Sequence, residues 1–367
     1  MDENGRTASR TAVLVCQGRA AADGRAAVGR FADPVAIRLL RPEERTVVDL
    51  VRAGTPPEGW QARTGYESVR ACAEIAVPRT VAIDEALRTG PGAGLVAGAD
   101  VGSASGTGAG SASGTGVGSA TGTGVGPATG TGVGPATGAD AGPATGADAG
   151  TEAGVDAGVG RQLVILGAGL DTRAWRLAEL ARTDVWEVDH PASQQDKRAR
   201  LAAAEARPTA RAVHFTAVDF AVDDLSAALD AAGHDPAAPT TWLWEGVIPY
   251  LTRAQVAVTL AALAARTAPG STLVLNYQSP SAKAAAGRLL TRLLGNSVTA
   301  GEPWRSLWTP GRMAALLADH GLHVTSDHDL LTLARALDTP TRSRSSLRTG
   351  RVAVAVATPR RPGPPAH

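Results

Sequence analysis

Two glycines and an acid spaced well beyond them are the first residues in this 367-residue chain whose types suggest chemistry. The run LVILGAGLDT places Gly167 and Gly169 at the end of an apolar segment. A tight turn there calls for glycine because φ must turn positive, and the same bare backbone lets a ligand approach. By itself such a turn is either a corner or a binding site. Asp189, in WEVDHP, closes the next apolar run at the distance expected of a ribose-binding acid, about 20 residues past the glycines. A carboxylate there accepts both ribose hydroxyls and repels a 2′-phosphate. Asp219 and Phe220, closing HFTAVDF, could bond an adenine amino group and pack on its ring. Glu245 follows two tryptophans in TTWLWEGVIPYL. A carboxylate so placed is costly without a cation or donor, which a structural arginine or a ligand would supply. Tyr250 is a candidate to touch a reacting molecule or to pack, and His190 is read as shaping the turn after Asp189.

The residues after the glycines choose among ribose ligands. A third glycine is missing, and Leu170-Asp171-Thr172 stands in its place. A carboxylate at Asp171 near a pyrophosphate would cost several kcal/mol, so a phosphate-free ligand such as S-adenosylmethionine is favoured over NAD. Alternatively Asp171 faces solvent and complements a helix dipole, with Thr172 as the cap.

Positioning these groups at strand ends requires a parallel sheet. From residue 162 onward, apolar runs alternate with amphipathic segments, the pattern of βαβ units. Strands are expected at 163–166, 185–188, 213–218, 241–244, 272–276, 323–325 and 352–357. Helices are expected at 192–206, 225–232, 253–266 and 310–320, the last opened by Pro310. The reading is a Rossmann-like, doubly wound, mostly parallel α/β sheet whose last strand is an antiparallel edge.

Between 89 and 160 the composition collapses to small residues without one aromatic, Lys or Arg, and residues 103–150 hold six copies of an eight-residue unit drifting from SASGTGAG to PATGADAG. The period fits neither collagen nor a nine-residue calcium β-roll. Ordering costs about 1–2 kcal/mol per residue, which Ala and isolated Val cannot offset, so disorder is expected. The chain is thus divided into a helical cap (1–88), the insert (89–160), a sheet domain (161–359) and a disordered tail (360–367).

Composition excludes several classes. A net charge of +1 carries no nucleic-acid footprint, and two cysteines and seven scattered histidines suggest neither a disulfide framework nor a metal site. No apolar run approaches the roughly 20 residues of a membrane span, and the polar start lacks a signal peptide. A cytoplasmic protein acting on a small molecule is expected.

VILGAGLDTRAWRL, EVDHP, VDF, WLWEGVIPYL and GEPWRSLWTP together resemble the leucine carboxyl methyltransferase-like family, which includes bacterial S-adenosylmethionine-dependent methyltransferases and polyketide O-methyltransferases. The resemblance covers residues 10–89 and 162–359. It implies that Arg79 in PRTVAID pairs with the cofactor carboxylate, Gly167 lies against the methionine moiety, and Asp189 holds the ribose. It places Asp219 and Phe220 at the adenine and Glu245 at the amino-acid end, with Arg19 where relatives often carry a base. Asp84 is expected to be structural. Arg176, Trp304 and Trp308 could line an acceptor pocket, with core packing the alternative for the tryptophans. The function implied is methyl transfer to a carboxylate or hydroxyl; the competing readings are an NAD-dependent oxidoreductase and a nonenzymatic scaffold using the repeat arm.

Overall fold

The seven expected strands form one sheet in the order β3-β2-β1-β4-β5-β7-β6. The computed structural model describes residues 9–90, 160–280 and 304–358; residues 91–159 of the insert and the tail lie outside them, while Thr89 still belongs to a helix. Strands β1 (Gln162–Leu166), β2 (Asp184–Asp189), β3 (Ala212–Ala217), β4 (Thr240–Trp244) and β5 (Thr272–Gln278) are parallel. Chain order reverses direction between β1 and β4, which leaves a crevice beyond their carboxyl ends.

The last strand, β7 (Gly350–Ala357), is antiparallel as expected but is not an edge. It lies between β5 and β6 (Leu322–Asp329), and β6 forms the border. The side chains give the reason. GRVAVAVA is small and apolar toward both faces and almost wholly buried, whereas LHVTSDHD is polar and mostly half-buried, which suits an edge.

Side chains alternate between two apolar layers. Leu163, Ile165, Val274 and Val352 face a cluster that includes Cys16, Val48, Ile83 and Leu87 of the N-terminal helices. Val164, Leu166, Trp242, Trp244 and Leu275 face the opposite cluster with Leu229, Val256 and Leu260. The N-terminal helices α1 (Arg10–Ala22), α2 (Ala36–Leu39), α3 (Pro42–Ala53) and α4 (Trp60–Thr89) therefore share a core with the sheet. Helix α4 runs 30 residues with Pro78 inside it, and its buried half carries Arg79 and Asp84. After the sheet's first strand comes only a four-residue helix, α5 (Arg173–Arg176). The helices α6 (Pro191–Ala203), α7 (Leu225–Ala231), α8 (Arg253–Ala265) and Pro310–Asp319 match the expected segments to within a few residues.

Candidate functional site

A cavity of about 730 Å³ opens beyond the strand ends, and Arg79, Gly167, Asp189, Asp219, Phe220, Glu245 and Tyr250 all line it. Residues from α1, α4 and five strand ends converge there because the crevice at the reversal of strand order is where those ends and the cap meet.

At the first turn Gly167 has φ +65° and Gly169 has φ +47°. A Cβ on Gly167 would sit 2.2 Å from Val247 Cγ2, so glycine is required by both conformation and space. The Gly169 N–H donates to Asp189 Oδ2 at 2.5 Å, and the His190 N–H donates to Oδ1 at 2.7 Å. The two bonds fix the carboxylate on the cavity wall. Burial pushes its pKa upward and the two backbone bonds only partly oppose that. His190 shapes this turn: its Nδ1 accepts the Ala192 N–H at 3.2 Å and caps α6. On the next strand end Asp219 Oδ1 accepts the Ala221 N–H at 2.9 Å, and half-buried Phe220 follows it on the wall.

Under the other end of the cavity lies a buried network of four arginines and four carboxylates: Arg19, Arg79, Arg173 and Arg176 with Asp33, Asp84, Asp171 and Glu245. Arg173 is its centre. Its Nε donates to Asp84 at 2.7 Å, and its Nη1 donates to Glu245 at 2.8 Å and to Asp171. Arg79 Nε lies 2.6 Å from the second Glu245 oxygen, close but out of hydrogen-bond alignment. Glu245 thus meets arginine partners, with the cavity wall beside it. Burial opposes ionisation of Asp84, Asp171 and Glu245, yet the neighbouring guanidiniums outweigh it and hold all three below the ordinary carboxylate range. The pairs are charge-balanced, which is what allows so many ions to be buried together.

Several expectations change. Asp171 neither faces solvent nor stands as a free charge: it is 8% exposed and neutralised by Arg173. Its repulsion of a pyrophosphate is therefore muted. Thr172 makes no side-chain cap; its hydroxyl donates to Asp33 at 2.8 Å instead. Arg176 is committed to Asp84 and does not line the cavity. Trp308 is buried in the core, whereas Trp304 is on the cavity wall. Asp84 is structural, held by Arg173 and Arg176. Arg19 does reach the cavity, paired with Asp33 at 2.8 Å and donating to the Leu170 carbonyl at 2.6 Å. Sequence reasoning passed over Arg173. Its signal was in the acids: three carboxylates heading for the interior demand a cation, and Asp171-Thr172-Arg173 supplies it locally. Asn276 and Gln278, also on the wall, carried no such signal.

Comparison with known proteins falls on the same segment. Residues 144–264 match the leucine carboxyl methyltransferase family. A protein of Mycobacterium bovis (strain BCG / Pasteur 1173P2), named for S-adenosyl-L-methionine-dependent methyltransferase activity, is 39% identical over 182 residues, 48% of this chain and 56% of its own length. A Mycolicibacterium smegmatis protein of the same description is 46% identical over 117 residues, 32% of this chain and 39% of its own length. The chain spans little more than half the length of the first and less of the second. Magnesium protoporphyrin IX methyltransferase from Synechocystis PCC 6803, solved with bound SAH, aligns over 55% of this chain and 75% of its own at 14% identity and TM-score 0.37. Residues 144–264 hold Gly167, Asp189, Asp219, Phe220, Glu245 and Tyr250, and over that segment the chain is similar to the leucine carboxyl methyltransferase family.

Proposed function

We propose that the protein is an S-adenosylmethionine-dependent O-methyltransferase acting on a carboxylate or hydroxyl of a small molecule. The observation that carries this reading is the convergence, on one cavity, of a backbone-fixed acid at Asp189 and an Arg79–Glu245 pair. Together they complement a ribose and an amino-acid zwitterion: Asp189 for the hydroxyls, Arg79 for the carboxylate, Glu245 for the ammonium. Gly167 lies between them, at a point where a side chain would collide with Val247. Asp219 and Phe220 would border the adenine.

The same site is poorly built for NAD. A pyrophosphate needs free N–H groups at a helix start, but α5 has four residues and the Gly169 N–H is already given to Asp189. This argument replaces the one from Asp171. When bound, S-adenosylmethionine supplies a methyl carbon on a sulfonium, which departs as a neutral thioether when an acceptor oxygen attacks. The residues here bind and orient the reactants, which supplies much of the acceleration of an in-line displacement. Tyr250, on the wall past β4, would touch the acceptor. The acceptor is a small molecule in this reading, and a cytoplasmic setting suits it; among the described residues no helix is long and apolar enough to cross a membrane.

Calorimetry tests the proposal. S-adenosylhomocysteine should bind and NADH should not, and Asp189→Ala should weaken S-adenosylhomocysteine by about 2–3 kcal/mol through loss of charge-assisted hydrogen bonds. Tight NADH binding without S-adenosylhomocysteine binding would sink it.

A further inference from the structure

Resting on the methyltransferase reading, we propose that the acceptor is an uncharged hydroxyl compound of phenolic or enolic type, held at the end of β5 by Asn276 and Gln278, and not a free carboxylate. Along the strand ends the proposed cofactor contacts run from Asp219 on β3 through Asp189 on β2 and Gly167 on β1 to Glu245 on β4. The next strand outward is β5, so its end is the place left for the second reactant. The last parallel rung pairs Trp244 with Leu275, which puts Asn276 one position past it, beside Glu245.

Asn276 and Gln278 lie two apart on the strand and both line the cavity, while Tyr277 between them turns into the core and donates to Asp327. Asn276 is 2% exposed. Its Nδ2 donates to the Arg351 carbonyl at 2.9 Å. A carbonyl can only accept, so the amide orientation is settled, and Oδ1 is left as an acceptor to which no donor among the described residues bonds. Gln278 Oε1 is enclosed and makes no hydrogen bond among the described residues. A buried polar atom without a partner costs about 1–3 kcal/mol and calls for an explanation; a ligand donor supplies one. Two amide oxygens at one strand end ask for hydroxyl hydrogens, which an ionised carboxylate lacks.

Charge points the same way. Among the described residues the cavity wall carries four carboxylates, Asp171, Asp189, Asp219 and Glu245, against three guanidiniums, Arg19, Arg79 and Arg305. Arg19 is paired with Asp33, Arg79 is taken by Glu245 and, in this reading, by the cofactor carboxylate, and Arg305 is exposed to solvent. Among the described residues no buried cation lines the cavity at the end of β5 to receive an acceptor carboxylate. A hydroxyl donating to Asn276 Oδ1 keeps an oxygen lone pair free for the methyl carbon. The new O–CH3 bond forms from that pair, the S–CH3 pair stays on sulfur, and the hydroxyl proton passes to water. Asn276 is not a base, so the acceptor must itself be acidic, near the phenol value of about 10.

The test uses the full chain, first titrated with S-adenosylhomocysteine and then, loaded, with catechol and with benzoate. Catechol should bind at least tenfold more tightly than benzoate. Asn276→Leu and Gln278→Leu should each lose at least fivefold in catechol affinity while S-adenosylhomocysteine affinity stays within twofold; Gln278, half-buried at the strand end, provides a variant whose folding is not at risk if Asn276→Leu is unstable. With S-adenosylmethionine and labelled methyl, catechol should yield its monomethyl ether. Benzoate binding as tightly as catechol, neither probe binding, or catechol affinity unmoved by both variants would overturn the acceptor assignment while leaving cofactor binding standing. Failure of wild type to bind S-adenosylhomocysteine would remove the methyltransferase reading and this one with it.

Discussion

Gly167 shows how sharply a single position can be constrained. An alanine there would adopt φ +65° and bring its methyl to 2.2 Å from Val247 Cγ2. The left-handed conformation alone costs about 1–2 kcal/mol. Gly167→Ala should therefore lower the unfolding free energy by at least that amount and weaken S-adenosylhomocysteine binding, since the displaced Val247 is itself on the cavity wall. Adding Val247→Ala should recover part of the loss; denaturant titration of the single and double variants checks this. Arg79 makes a different demand. If its planar fork holds a carboxylate, Arg79→Lys should bind S-adenosylhomocysteine as poorly as Arg79→Ala, because an ammonium cannot reproduce two parallel bonds. Wild-type affinity in the Lys variant would leave Arg79 as a partner of Glu245 alone.

At the scale of elements, Arg173 ties α4, the turn after β1 and the end of β4 through Asp84, Asp171 and Glu245. Removing one partner of a buried ion network leaves uncompensated charge, at a cost of about 3–5 kcal/mol. Arg173→Met should lose about that much stability at neutral pH, measured by urea unfolding. The pH dependence has a definite sign. The three carboxyls sit below their unfolded values, near 4. Their stabilisation is fully present above that range and is lost as pH falls through the lower folded values. The wild type should therefore weaken steadily on acidification below about pH 4, and the gap to Arg173→Met should narrow there as the carboxyls take up protons. A gap that stays constant from pH 7 to pH 3 would show that Arg173 acts through packing and not through charge.

For the molecule as a whole, residues 91–159 divide the helix carrying Arg79 from the strand leading to Gly167. Their flanks are anchored in the same folded unit: the Gly90 N–H bonds Ala86, and the Gly160 carbonyl accepts the Thr183 hydroxyl at 3.0 Å. Loop-closure entropy grows only logarithmically, so replacing 91–159 with a short Gly/Ser linker should leave stability unchanged or raise it by about 1–2 kcal/mol. Cofactor affinity should be retained. Thermal unfolding and calorimetry on the deletion variant decide; a folded deletion protein that no longer binds S-adenosylhomocysteine would place the repeat arm in the site.

What the sequence by itself determined follows from local rules. Alternation of apolar residues located all seven strands, glycines marked the turn after β1, and acids at run ends marked Asp189, Asp219 and Glu245 before any coordinates. Those signals are short-range: a period, a positive φ, an acid that cannot be fully exposed. Only tertiary structure decided which of two apolar strands became interior, because β7 beat β6 to that place by burying both of its faces. It also decided that Asp171 is neutralised, since its partner Arg173 is two residues away yet reaches it only when the turn folds against α4. Asn276 is the clearest case. Nothing in TLVLNYQ distinguishes an asparagine that packs from one that waits for a donor. The difference arises from the Arg351 carbonyl, 75 residues on, which takes the Nδ2 end of the amide of a residue that lines the cavity.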